Sequence, residues 1–172
     1  MNYFEFYNLA PSFYLDETLL RKAFLQNSKK YHPDFFTLES EEKQAEILSA
    51  ATLNNEAYKI LKDFDKRLHY ILDLNNIIED EGKNMVPQEF LMEMMDVNEA
   101  LMELEFDFDP VKKAKLENQL SLLEESLLQS IESNLKNFNP AKPDLESLNK
   151  IKTYYFKKKY LIRVRDNLGK MN

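Results

Sequence analysis

Apolar residues recur through this chain at steps of three and four, the spacing that gathers side chains on one face of an α-helix. The clearest run is Phe90, Met94, Val97, Leu101 and Leu104. After a break at Phe106-Asp107-Phe108-Asp109-Pro110 the pattern resumes with Leu116, Leu120, Leu123, Leu127, Ile131, Leu135 and Phe138. Asn139-Pro140-Ala141-Lys142-Pro143 then stops it, because proline lacks the N–H that a helix needs. Asp144 is placed to cap a last helix that runs to about Leu168 and ends at Gly169. Three helices joined by short proline-marked loops predict an antiparallel bundle.

The first half of the chain is patterned more finely. Residues 3–7 predict a short helix closed by Asn8-Leu9-Ala10-Pro11. Asp16 is the candidate N-cap of a second helix that ends near Tyr31. Its buried side is either Leu19, Ala23 and Ser28 or Leu20, Phe24 and Tyr31, and Arg21, Lys22, Lys29 and Lys30 mark the wet side. A third helix, residues 40–61, would pack through Ile47, Leu48, Ala51, Ala57, Tyr58 and Leu61. A fourth, residues 64–74, carries Leu68, Ile71 and Leu72. The fold class expected is therefore all-α, with a first domain over 1–75, a linker over 76–86 and a three-helix domain over 87–172.

Composition supports that class. Hydrophobic residues make up 44% of the 172, and only 2 glycines are present, too few for the turns of an all-β fold. Cysteine is absent, which excludes disulfides and thiolate metal sites. The opening Met1-Asn2-Tyr3-Phe4-Glu5 shows no signal peptide, and no apolar run approaches the ~18 residues of a membrane span. The expectation is a cytoplasmic protein. Net charge is −7 and unevenly spread. Residues 1–75 hold 9 basic and 12 acidic side chains, 76–109 hold 1 and 11, and 110–172 hold 13 and 7. An acidic middle between more basic ends suits protein partners, with charge setting orientation and on-rate, better than nucleic acid.

The chemistry of the first domain concentrates at His32-Pro33-Asp34. The preceding helix has no acidic residue from Leu19 to His32, and Pro33 forces it to stop and stiffens the corner. With Tyr3-Phe4-Glu5, Leu9 before Pro11, Tyr31 before the turn and Asn55-Glu56-Ala57-Tyr58 with Leu61 after it, this segment resembles the J-domain of Hsp40-type co-chaperones. The resemblance implies that Arg21, Lys22, Lys29, Lys30 and Tyr31, with His32, Pro33 and Asp34, bind an Hsp70-type chaperone and stimulate its ATPase. Two residues depart from the family pattern. Phe35 stands where a basic residue is common, and Phe64 where a proline often opens the fourth helix.

The segment Pro87-Gln88-Glu89-Phe90-Leu91-Met92-Glu93-Met94-Met95-Asp96 resembles the start of the C-terminal domain in the iron–sulphur-cluster co-chaperones of the HscB type. Those proteins join a J-domain and a three-helix bundle in an L shape. By its pattern alone this helix carries more apolar residues than one bundle seam uses: Leu91, Met92, Met95 and Met102 are surplus, beside Asp96, Glu99 and Glu103. Methionine is adaptable at binding surfaces. The plainer reading is that Leu91 and Met95 only thicken the core. The resemblance implies that Leu91, Met92 and Met95, rimmed by Asp96, Glu99 and Glu103, bind a cluster scaffold protein (IscU-like). It matches Tyr160 to an aromatic on the same face, with Tyr154-Tyr155-Phe156 as a competing register.

Other chemistries fit less well. His32 and Asp34 straddle a proline with no nucleophile implied beside them, so catalysis is not expected. His32 and His69 lack metal-ligand spacing, and no phosphate-binding loop is present, so no metal or cofactor is expected. Lys157-Lys158-Lys159 with Arg163 and Arg165 read as a solvated helix face rather than a nucleic-acid site. The function expected is co-chaperone, not enzyme. The alternative is a J-domain adaptor for a different client, without an iron–sulphur role.

Overall fold

The computed structural model describes residues 1–79 and 86–172. Eight α-helices lie among these residues: α1 (Tyr3–Phe6), α2 (Glu17–Lys30), α3 (Glu41–Leu61), α4 (Phe64–Leu74), α5 (Gln88–Glu93), α6 (Met95–Phe106), α7 (Pro110–Lys136) and α8 (Leu145–Gly169). A single 3₁₀ turn, Pro33–Phe36, separates α2 from α3. The chain divides into two units. The first is Met1–Leu74 with Pro140–Lys142, and the second is Asn75–Asn139 with Pro143–Asn172. Of the expected linker 76–86, residues 80–85 lie outside the described ones. Ile77 is buried, and Glu79 lies 3.8 Å from the Lys152 ammonium of α8.

Helix ends follow local chemistry. Asp16 accepts from the N–H groups of Thr18 and Leu19, Ser40 from Lys43, Asp109 from Val111 and Lys112, and Asp144 from Glu146. Each satisfies backbone donors that a helix start leaves open. The end of α1 closes differently. Asn8 takes a positive φ of 53°, so Leu9 N–H reaches Phe4 O at 2.9 Å and Asn8 N–H reaches Glu5 O at 3.0 Å. Asparagine tolerates that left-handed conformation better than most residues.

In the first unit α2 and α3 form the main hairpin. Leu20, Ile47, Ala57 and Leu61 are buried, and Phe24 stacks on Tyr58 with centroids 4.1 Å apart. The alternative with Leu20 and Phe24 inward is the one realised; Leu19 is exposed, as is Leu48, which the spacing had placed inside. A helix face is only as apolar as what covers it, and Leu20 is the one that the packing of the unit covers. Tyr3 stacks on Tyr70 at 4.6 Å and donates its N–H to the Tyr70 hydroxyl.

Two buried polar residues tie this unit together. Asn54 donates from Nδ2 to Phe24 O at 3.2 Å and to Ser28 Oγ at 3.0 Å. The Tyr7 hydroxyl donates to the Asn54 carbonyl at 2.7 Å and lies 2.9 Å from its Oδ1. One side chain thus links α1, α2 and α3. Burial, aided by Tyr58, holds the Tyr7 phenol protonated well above the usual range. Arg67 donates from Nε to Phe13 O at 3.0 Å and from Nη1 to Leu61 O, and its guanidinium lies over Phe64. Burial lowers its pKa, and Glu17 and Asp63 oppose that. Asn54→Ala is expected to cost about 2 kcal/mol, since it removes three polar contacts at a buried residue. A lower urea midpoint at unchanged m-value is the result to look for; an unchanged midpoint would show that the network adds nothing.

In the second unit the core is Phe90, Met94, Val97, Leu101 and Leu104 against Leu116 and Leu120 of α7 and Leu161, Val164 and Leu168 of α8. All five residues of the first seam are buried as the spacing required. The helix carrying them is not continuous. Met94 (φ −81°, ψ −5°) interrupts it, leaving α5 and α6. Met94 N–H still bonds Phe90 O at 3.0 Å, and Asn98 N–H bonds Met94 O at 2.9 Å, so the seam keeps its register across the break. That is why spacing alone cannot reveal it. Between α7 and α8, Arg165 holds Glu124 through two hydrogen bonds, Nε–Oε1 3.2 Å and Nη2–Oε2 3.1 Å.

Candidate functional site

The turn after α2 is built by its own side chains. His32 is extended (φ −71°, ψ 120°) and caps the 3₁₀ turn: its Nδ1 accepts the Asp34 N–H at 3.3 Å. Pro33 occupies the first position of the turn, where its missing N–H costs nothing. Phe35 N–H closes the turn on His32 O at 3.1 Å. The Asp34 carboxylate stands 3.8 Å from His32 Nδ1 with its side chain 83% exposed. The turn therefore spends the Asp34 backbone on rigidity and leaves its carboxylate outward. Phe35 is exposed too, its ring 5.3 Å from His32.

The basic face of α2 is real but unevenly shared. Arg21, Lys22 and Lys29 line one shallow groove with Thr18, Leu25 and Gln26. Lys30 belongs elsewhere, its ammonium 4.9 Å from the Tyr31 ring centroid. Tyr31 is half-buried and stacks on Phe6, tying the turn to α1. Leu25 was missed by the sequence reading. It is an exposed apolar residue in the middle of the cations, and the only sequence signal was its isolation on the polar face.

The second candidate face lies on α5 and α6. Leu91 is 41% exposed and Met92 and Met95 are each 64% exposed, so these residues do not thicken the core. Asp96, Glu99 and Glu103 are exposed beside them. Lys112 approaches Glu103 at 3.7 Å, a surface pair of small energetic weight. Tyr160 of α8 joins this end of the unit. Its hydroxyl accepts from Asn98 Nδ2 at 2.7 Å, and its ring meets Phe90 edge-on at 5.6 Å. Of the competing register, Tyr154 is buried among α7 and α8 residues and Tyr155 packs on Phe156.

The cations of α8 are spread around the helix rather than gathered in a stripe. Lys157 lies over Phe90, Lys159 over Tyr155 and Arg163 over Tyr160, while Arg165 is held by Glu124. Among the described residues no three of His, Asp and Glu gather as a metal site would require, and no helix is long and apolar enough to cross a membrane.

Residues 86–169 match the family model described as the HSCB C-terminal oligomerisation domain. The co-chaperone HscB homologue of Vibrio vulnificus strain YJ016 is 35% identical over 137 residues, covering 78% of this chain and 80% of that protein. The chain belongs to the HscB family. It is a J-type co-chaperone of iron–sulphur cluster assembly. The HscB homologue of Photobacterium profundum is 33% identical over 139 residues, 75% of this chain and 81% of its own. Among solved structures, HscB from Vibrio cholerae matches with a TM-score of 0.65 at 29% identity, covering 98% of this chain and 99% of that one. Human HscB matches in fold with a TM-score of 0.76 at 23% identity, covering 98% and 81%. A J-domain followed by a C-terminal helical bundle is thus the fold of this HscB-family chain.

Proposed function

We propose that the two faces bind two different partners, an Hsp70-type chaperone at the His32 turn and α2, and an iron–sulphur scaffold protein at α5 and α6. The observation that carries this is the pair of opposite-sign surfaces, each built around a feature that folding alone does not need. One is a rigid turn that aims a bare carboxylate outward; the other is an exposed Leu/Met stripe edged by acids.

Arg21, Lys22 and Lys29 steer the J-domain onto an acidic chaperone surface, and Leu25 gives that contact an apolar centre. Lys30 and Tyr31 hold the end of α2 against the turn. Asp34 then accepts a charge-assisted hydrogen bond from a cationic group of the chaperone, with His32 and Pro33 holding it in place. Contacts made better in the hydrolysing state bias the chaperone toward that state. The nucleotide and its magnesium belong to the chaperone, and this chain turns over no substrate. Leu91, Met92 and Met95 supply the apolar centre for the scaffold, Asp96, Glu99 and Glu103 its rim, and Tyr160 a neighbouring aromatic. Domain bounds near 1–75 and 87–172 assign one partner to each unit. The work is done in the cytoplasm.

Single-turnover ATP hydrolysis by the cognate Hsp70 tests this. Hydrolysis should accelerate on adding the chain and accelerate further when scaffold is also present. Acceleration that ignores scaffold would retain the chaperone contact and discard this client in favour of a different one. No acceleration at all would leave only the fold.

A further inference from the structure

The apolar stripe does not stop at Met95. Met95, Met102 and Phe106 are spaced by seven and four residues, which returns them to one side of α6. Met102 is 68% exposed and Phe106 is 98% exposed. A lone exposed apolar residue needs no explanation, but a row of them on one side of a helix does. Phe106 is the last residue of α6, and the turn under it is closed by Asp107 N–H on Glu103 O at 2.9 Å. Its ring is therefore carried on ordered helix.

Resting on the scaffold-binding reading above, we infer that the scaffold interface extends along α6 through Met102 to Phe106, and that the matching scaffold surface is an apolar strip flanked by basic residues. Size is the first argument. A stable interface covers about 800 Å² on each partner. Leu91, Met92 and Met95 are only partly exposed, and Met102 and Phe106 roughly double the apolar side chain available on this face. Along α6 alone, from Met95 to Phe106, the row runs about 17 Å at ~1.5 Å per residue.

Charge is the second argument, and it selects the occupant. Residues 86–109 contain 8 acidic and 0 basic side chains. A second copy of this chain laid on the same face would set acid against acid, which disfavours self-pairing. A partner with lysine or arginine flanking an apolar strip meets both demands at once. The sign changes at Lys112 and Lys113, so the surface ends where α7 begins.

The test is titration calorimetry of the full-length chain with its cognate scaffold protein, comparing wild type, Met102→Ser/Phe106→Ser and Leu91→Ala/Met92→Ala/Met95→Ala. The serine pair should weaken binding about ten-fold or more, with thermal melting and Asp34-dependent ATPase stimulation unchanged, and added salt should weaken the wild-type complex. Unchanged affinity in the serine pair, with binding lost in the alanine triple, would overturn the extension and leave the scaffold reading standing. No scaffold binding by wild type would overturn the reading and the extension together. A wild-type dimer that the serine pair dissolves, seen by sedimentation, would overturn it by giving the row to a second copy.

Discussion

Asp34→Asn should lower Hsp70 ATPase stimulation by roughly ten- to a hundred-fold while leaving scaffold binding intact. Asparagine keeps the size of the side chain and the backbone N–H that His32 caps, so the turn should survive. What goes is the charge on an exposed carboxylate. A hydrogen bond to a charged group is worth about 1.5–3 kcal/mol, and each ~1.4 kcal/mol is a factor of ten. Single-turnover hydrolysis at saturating J-protein reads the loss directly. Full stimulation by the asparagine variant would remove the carboxylate from the mechanism. His32→Ala provides a contrast: it keeps the carboxylate and removes the cap, so its defect should come from a loosened turn.

Leu91→Ala/Met92→Ala/Met95→Ala should do the converse, weakening scaffold binding roughly a hundred- to a thousand-fold with scaffold-independent stimulation unchanged. Apolar residues at the centre of an interface cost a little over ~1 kcal/mol each when truncated, or about 3–4 kcal/mol for the three together. The fold should not suffer, because none of the three is in the core and alanine is the best helix former. Calorimetry with the scaffold protein and a thermal melt of the free variant separate the two effects. If either variant loses both activities without unfolding, the faces are not independent.

Much of the architecture was legible before any coordinates. Periodicity located every buried residue of the α5–α6 seam, because a three-helix bundle makes one demand on each helix and repeats it. Asp16 and Asp144 marked helix starts through chemistry that acts over two or three residues. The His32-Pro33-Asp34 turn was legible for the same reason: each residue constrains its immediate neighbour.

What the chain alone could not decide depended on residues far apart in it. Leu19 and Leu20 are equally apolar; packing in the folded first unit chose Leu20 for the core. Asn54 looked like one more polar residue of α3, and only the arrival of Tyr7, Phe24 and Ser28 around it made it a buried link. Lys30 shared its charge with Lys29 but was turned onto Tyr31, and Arg165 was taken by Glu124 from forty-one residues away. Phe106 sat inside a stretch that read as a break, and only the extent of α6 made it the end of an exposed row. Local sequence determined where helices begin, end and turn inward. The tertiary structure decided which of the remaining side chains were left facing water, because exposure is settled by what else comes to cover a surface.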